Sequence, residues 1–116
     1  MEGRPLLTDD KKRAARKALE DRILNGDGRT PPDQRARAFN NAGLPEPLHT
    51  LLDKVATRPA QVTNADFAAA KASGVSEDQI FELVICAAVG QSARQYDAGL
   101  AALDEALADR GGGNAP

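Results

Sequence analysis

The stretch from Ile80 to Val89 sets the tightest limit on what this chain can fold into. It reads Ile80, Phe81, Glu82, Leu83, Val84, Ile85, Cys86, Ala87, Ala88, Val89. One charged residue interrupts nine apolar ones. Ser76 with Gln79 just upstream forms a capping-box pattern, so the run should open as a helix. A helix that is apolar all round needs covering on every side. The spacing therefore predicts a central helix of about fourteen residues, ending near Gly90. The small side chains of Ala87 and Ala88 would let neighbouring helices approach closely.

The rest of the chain reads as helices around that centre. No alternating β pattern occurs over a useful length. Thr8 before Asp9 and Asp10 marks a helix start, and Asn25-Gly26-Asp27-Gly28 marks its stop near Leu24. Thr30 with Pro31 opens a short second helix ending near Asn40-Asn41-Ala42-Gly43. A third follows Pro47, with Leu48, Leu51, Leu52 and Val55 on one face. Thr63 with Asp66 forms a capping box for a fourth, over Ala65–Ala72, closed by Gly74. A last helix runs from beyond Gly90 to about Asp109. The expectation is one all-α domain of about six helices over residues 8–109. Residues 1–7 are expected to be a flexible N-terminus, and 110–116 a disordered glycine-rich tail.

Composition narrows the function classes. Leu, Val, Ile and Phe together make up about a fifth of the 116 residues, close to the range where order fails. The formal net charge of −2 and 22 alanines argue for a compact helical domain with a thin core. A pI near 5.3 offers no global attraction to nucleic acid or anionic membrane. The basic run Lys11-Lys12-Arg13 with Arg16 and Lys17 is flanked by Asp9, Asp10, Glu20 and Asp21 and reads as a solvated helix face. One cysteine allows neither an intrachain disulfide nor a Cys-x-x-Cys pair. No signal-peptide pattern opens the chain, and no apolar run approaches the ~20 residues of a membrane span. The cytoplasm is the expected location.

The segment AAAKASGVSEDQIFELVICAAVG, from Ala68 to Gly90, resembles the AhpD-like, carboxymuconolactone decarboxylase family. The likeness covers about Thr63 to Leu107. It implies an all-helical fold assembled as trimers, hexamers or similar oligomers. It also implies either alkylhydroperoxidase activity or decarboxylation of a lactone in aromatic catabolism. Peroxidatic members use Cys-x-x-Cys-x-x-x-His with an upstream Glu. Counted back from Gly74, the His slot falls on Asp66 and the Cys slots on Val62 and Pro59. The Glu slot falls near Pro47, with Glu46 beside it. Val and Pro supply no thiolate, so no thiol peroxidase activity, and no cofactor or metal, is expected.

Four residues remain as candidates. Cys86 is either a lone nucleophile or sensor, or a small buried hydrophobe, and its apolar neighbours favour the second. His49, the only histidine, could act as a general base but misses the family's slot. Glu82 either lies on an exposed stripe or pairs with a base such as Arg94; a carboxylate left unpaired in that helix would be costly. Arg94 suits an anionic substrate group. The resulting expectation is an oligomeric protein that binds a small organic acid or supports a partner subunit. The alternative is a lactone or small-acid decarboxylase using Glu82, Arg94 and His49. The two differ in whether those three residues converge. The apolar helix and the row Ala93, Tyr96, Leu100, Leu103, Leu107 together exceed what the remaining large side chains can cover, so self-association is expected.

Overall fold

The computed structural model describes residues 3–113. Those residues are all-helical, without a strand. Helix α1 spans Gly3–Asn25, α2 Pro32–Phe39, α3 Leu48–Thr57, α4 Asn64–Ala72 and α5 Glu77–Gly113, with a 3-10 turn at Pro59–Gln61. The first half of α5 is the axis on which α2, α3 and α4 pack. Ile80, Leu83, Cys86 and Ala87 of α5 meet Ala38 of α2, Leu51 and Leu52 of α3 and Ala70 of α4 in one buried cluster. The expected apolar face of α3 is borne out: Leu48 and Val55 pack against the same cluster as Leu51 and Leu52.

Both capping boxes form. Thr63 and Asp66 exchange hydrogen bonds at the start of α4, and Ser76 and Gln79 do the same at the start of α5. Asp66 also accepts from Lys54 Nζ at 3.0 Å, which ties α4 to α3. Gly74 takes a φ of 100°, in the left-handed region where glycine carries no Cβ penalty.

Four expectations are corrected. First, α1 begins at Gly3 rather than after Thr8, so helix reaches into the segment expected to be flexible. Pro5 falls in its first turn, where a missing N–H costs nothing. Second, α2 starts at Pro32, with Pro31 at the cap position. Thr30 does not cap it: its hydroxyl is buried without a hydrogen-bond partner. Third, Gly90 does not interrupt the apolar helix. α5 runs through it to Gly113, giving five α-helices in place of about six. The glycines expected in a frayed tail, Gly111–Gly113, belong to α5, while 114–116 lie outside the described residues. Fourth, the apolar stretch is not covered on every side. Phe81 is 66% exposed and Ala88 is exposed, because α2, α3 and α4 pack on one side of α5 only.

Gly90 matters for packing instead. A Cβ built there would lie 1.8 Å from the Phe39 carbonyl oxygen and 2.6 Å from its carbon. The end of α2 thus rests on the bare backbone of α5. A glycine inside a helix costs about 0.5–1 kcal/mol relative to alanine, and this close approach is what offsets it. A Cβ added at Gly99, further along the same helix, would meet nothing within 4 Å. Opposite signs are therefore expected. Gly99→Ala should stabilise the protein by about 0.5–1 kcal/mol. Gly90→Ala should destabilise it by about 1–3 kcal/mol, since backbone must move to relieve the overlap. Urea unfolding of the two variants checks this; a stabilised Gly90→Ala would contradict the packing described.

Candidate functional site

The loop between α1 and α2 has few side chains of its own to hold it. Its backbone is held by α5. Glu82 projects from α5 into the loop and accepts three hydrogen bonds from two amides. Arg29 N lies 3.0 and 2.8 Å from its two carboxylate oxygens, and Thr30 N lies 2.8 Å from Oε1. Gln79, one turn earlier, donates to the Arg29 carbonyl at 3.3 Å. Gly28 completes the fit, since a Cβ there would come within 3.0 Å of the carboxylate. Burial pushes the Glu82 pKa up. The Arg29 and Thr30 donors, with the charge of Arg35 beyond them, outweigh it, and the carboxyl ends below its ordinary value.

Arg35 is the most buried charged residue described, at 5% exposed. It projects from α2 and donates to the Ile23 carbonyl in the last turn of α1 at 3.2 Å. Helix carbonyls at a C-terminus lack intrahelical partners, and a cation suits that end of the dipole. Arg94 does the same for the next helix: it donates to the Phe39 carbonyl at 2.6 Å and to Gln91 Oε1 at 2.8 Å. Two arginines thus close two successive helix C-termini. They are not equally satisfied, because Arg35 Nε is buried without a hydrogen-bond partner.

A cleft of about 170 Å³ lies beside Arg35, lined by Arg22, Ile23, Asp27, Glu82, Ile85 and Cys86 as well. Cys86 is 1% exposed, and its sulfur faces the Ile23 carbonyl at 3.9 Å. Burial raises its thiol pKa, Glu82 raises it further and Arg35 only partly opposes them. The thiol is kept protonated, which suits packing and not nucleophilic attack. The cleft offers one incompletely paired guanidinium, a second arginine and two apolar walls. That set can hold a small carboxylate; of the two carboxylates that also line the cleft, Asp27 and Glu82, the second is already engaged by the Arg29 and Thr30 amides.

The three residues picked out as a possible catalytic set do not meet. Glu82 faces the loop at Arg29–Thr30. Arg94 lies twelve residues, about 18 Å, further along α5 and holds the end of α2. His49 lies on α3 beside Arg37, Ala38 and Asn41. Glu82 lines the cleft beside Arg35 and His49 a small hollow by Arg37 and Asn41, neither of which holds a second member of the set. Of the two alternatives for Glu82, pairing with Arg94 does not form, and backbone amides take its place. Among the described residues no group of three or more His, Cys, Asp or Glu is placed to hold a metal. Sequence reading missed Arg35. Its position in a short polar helix looks solvent-facing, and it is buried where α2 meets both the end of α1 and the Glu82–Cys86 stretch of α5.

Replacing Glu82 by Ala should leave the buried Thr30 amide without an acceptor and cost about 1–3 kcal/mol. The pH dependence follows from the sign of the shift. A carboxyl whose folded pKa is depressed adds stability above its unfolded pKa, and that stability is lost as pH falls through the folded value. Stability of the native protein should therefore fall with acid below about pH 4.5, taking that ordinary value as the unfolded one. Glu82→Gln should lose less over the same range. It should retain some slope, because Glu46, Asp53, Asp66 and Glu77 are also lowered. Chemical denaturation at pH 3 to 7 measures both, and equal slopes in the two proteins would contradict the assignment. No family model, curated protein or solved structure matches this chain, so the site's own geometry carries the functional reading.

Proposed function

We propose that this chain is a non-redox member of the AhpD-like, carboxymuconolactone decarboxylase group, working in the cytoplasm. In this reading it self-associates and binds a small organic acid or supports a partner subunit. The family assignment rests on the resemblance over Thr63 to Leu107, and the all-helical architecture is compatible with it. The observation that carries the small-acid reading is the cleft itself, which sets the guanidinium groups of Arg22 and Arg35 beside apolar Ile85 and Cys86, with Asp27 and Glu82 on its other walls. A buried cation is costly without a counter-charge. Glu82 supplies part of that counter-charge; a bound carboxylate would add to it, while Ile85 and Cys86 would pack its carbon chain. Trimers or hexamers are the assemblies implied by the resemblance, and the open side of α5 supports association.

The alternative, a lactone or small-acid decarboxylase, needs acidic, basic and anion-holding groups in one place. Glu82, Arg94 and His49 are held apart, which favours the binding reading. A thiol peroxidase is disfavoured by the buried, protonated Cys86.

Isothermal titration with two- to four-carbon monocarboxylates tests the binding reading. Saturable uptake is expected in the native protein, with at least a tenfold loss in Arg35→Gln of unchanged helix content. Absence of uptake of any of them would contradict it. Hydroperoxide turnover with a dithiol reductant should be absent; turnover that disappears in Cys86→Ser would contradict the non-redox assignment.

A further inference from the structure

Beyond Arg94, α5 leaves the body of the fold. Every side chain from Gln95 to Asp109 is exposed, over about 22 Å of helix. Tyr96, Leu100, Leu103 and Leu107 form a row on it and are 51%, 40%, 53% and 54% exposed. Their spacing of four, three and four residues is that of a helix-to-helix seam. Helix α1 runs alongside in the opposite direction: Ile23 lies by Cys86, and Arg16 lies by Asp97, at 2.9 Å. The two helices do not close on each other. A cleft of about 520 Å³ separates them, with Lys12, Arg13 and Arg16 on the α1 wall and Asp97, Leu100 and Asp104 on the α5 wall.

The charges are sorted over the facing stretches of the two helices, with Asp9, Asp10, Glu20 and Asp21 flanking the basic run of α1. From 11 to 17, α1 carries five basic residues and no acidic one; from 95 to 109, α5 carries four acidic residues and no basic one. We propose that this hairpin is a docking arm and that its occupant is the same arm of a second copy. The two are related by a two-fold axis along the arm and form a four-helix unit. The proposal rests on the reading of the chain as self-associating, and it names the surface. Within one copy Arg16 pairs with Asp97 and lies over the Tyr96 ring, and the charge sorting selects the axis by which a second copy extends that pairing. An axis along the arm lays basic α1 of each copy on acidic α5 of the other. An axis across the arm would stack α1 on α1 and α5 on α5, like charge on like. The leucine row is buried in the same step. A two-fold contact builds dimers, or hexamers through three such contacts, and not an isolated trimer.

Sedimentation velocity on three variants tests this, with circular dichroism to verify helix content. Leu100→Glu with Leu103→Glu should dissociate the two-fold contact. Lys12→Glu with Arg13→Glu, and separately Asp104→Lys with Glu105→Lys, should each weaken association at least tenfold. Mixing these two charge-reversed proteins should restore it, because each reversed helix then meets an opposite one. Native-strength association in either charge variant alone, or in the leucine variant, would overturn the docking surface and leave self-association standing. A native protein of 12.2 kDa up to hundreds of micromolar would overturn both.

Discussion

The fold depends on one short helix being held at both ends against one long one. Helix α2 has eight residues, too few to be stable alone in water. At its leading end, Glu82 of α5 holds the amides of Arg29 and Thr30. At its trailing end, Gly90 admits the Phe39 carbonyl against the α5 backbone, and Arg94 donates to the same oxygen. Glu82, Gly90 and Arg94 are spaced by eight and four residues, so they share one face of α5. That face is the track on which α2 lies. Once it is docked, Arg35 is carried under the end of α1 and becomes buried, and the cleft beside it follows.

This arrangement accounts for the lone carboxylate in an otherwise apolar helix. An acidic side chain there is tolerated because peptide N–H groups converge on it, and those donors in turn need an acceptor. Removing either party would leave the other exposed to the cost of burial. The thin core makes such polar ties weigh more. The fully buried large side chains are only Leu51, Leu83 and Cys86 among the described residues, so little apolar burial is available to compensate a lost tie.

What can be read in the sequence is local. The Thr63–Asp66 and Ser76–Gln79 boxes, the apolar face of α3 and the turn at Gly74 follow from spacing of three or four residues and from glycine's backbone freedom. What cannot be read depends on tertiary approach. Gly90 looks like a helix breaker in one dimension and is a contact point in three. Glu82 is recognisable as needing a partner, but backbone amides carry no sequence signature, and Arg94 is the nearer guess. Arg35 gives no signal at all, since its burial is imposed by the approach of α1 and α5 from elsewhere in the chain. The pattern of the apolar run in α5 predicts enclosure; its outward side at Phe81 and Ala88 stays open because the helices of one chain are too few to surround it.

Amide hydrogen exchange measured residue by residue tests the two-ended docking of α2 most directly. In the native protein, the Thr30 amide and the amides of α2 should exchange slowly, with protection near that of the core of α3. In Glu82→Ala, Thr30 and α2 should lose protection by at least tenfold more than α3 and α4, because the tie removed belongs to α2 alone. If α2 keeps its protection, or if all helices lose it to the same extent, Glu82 is not what holds this helix in place.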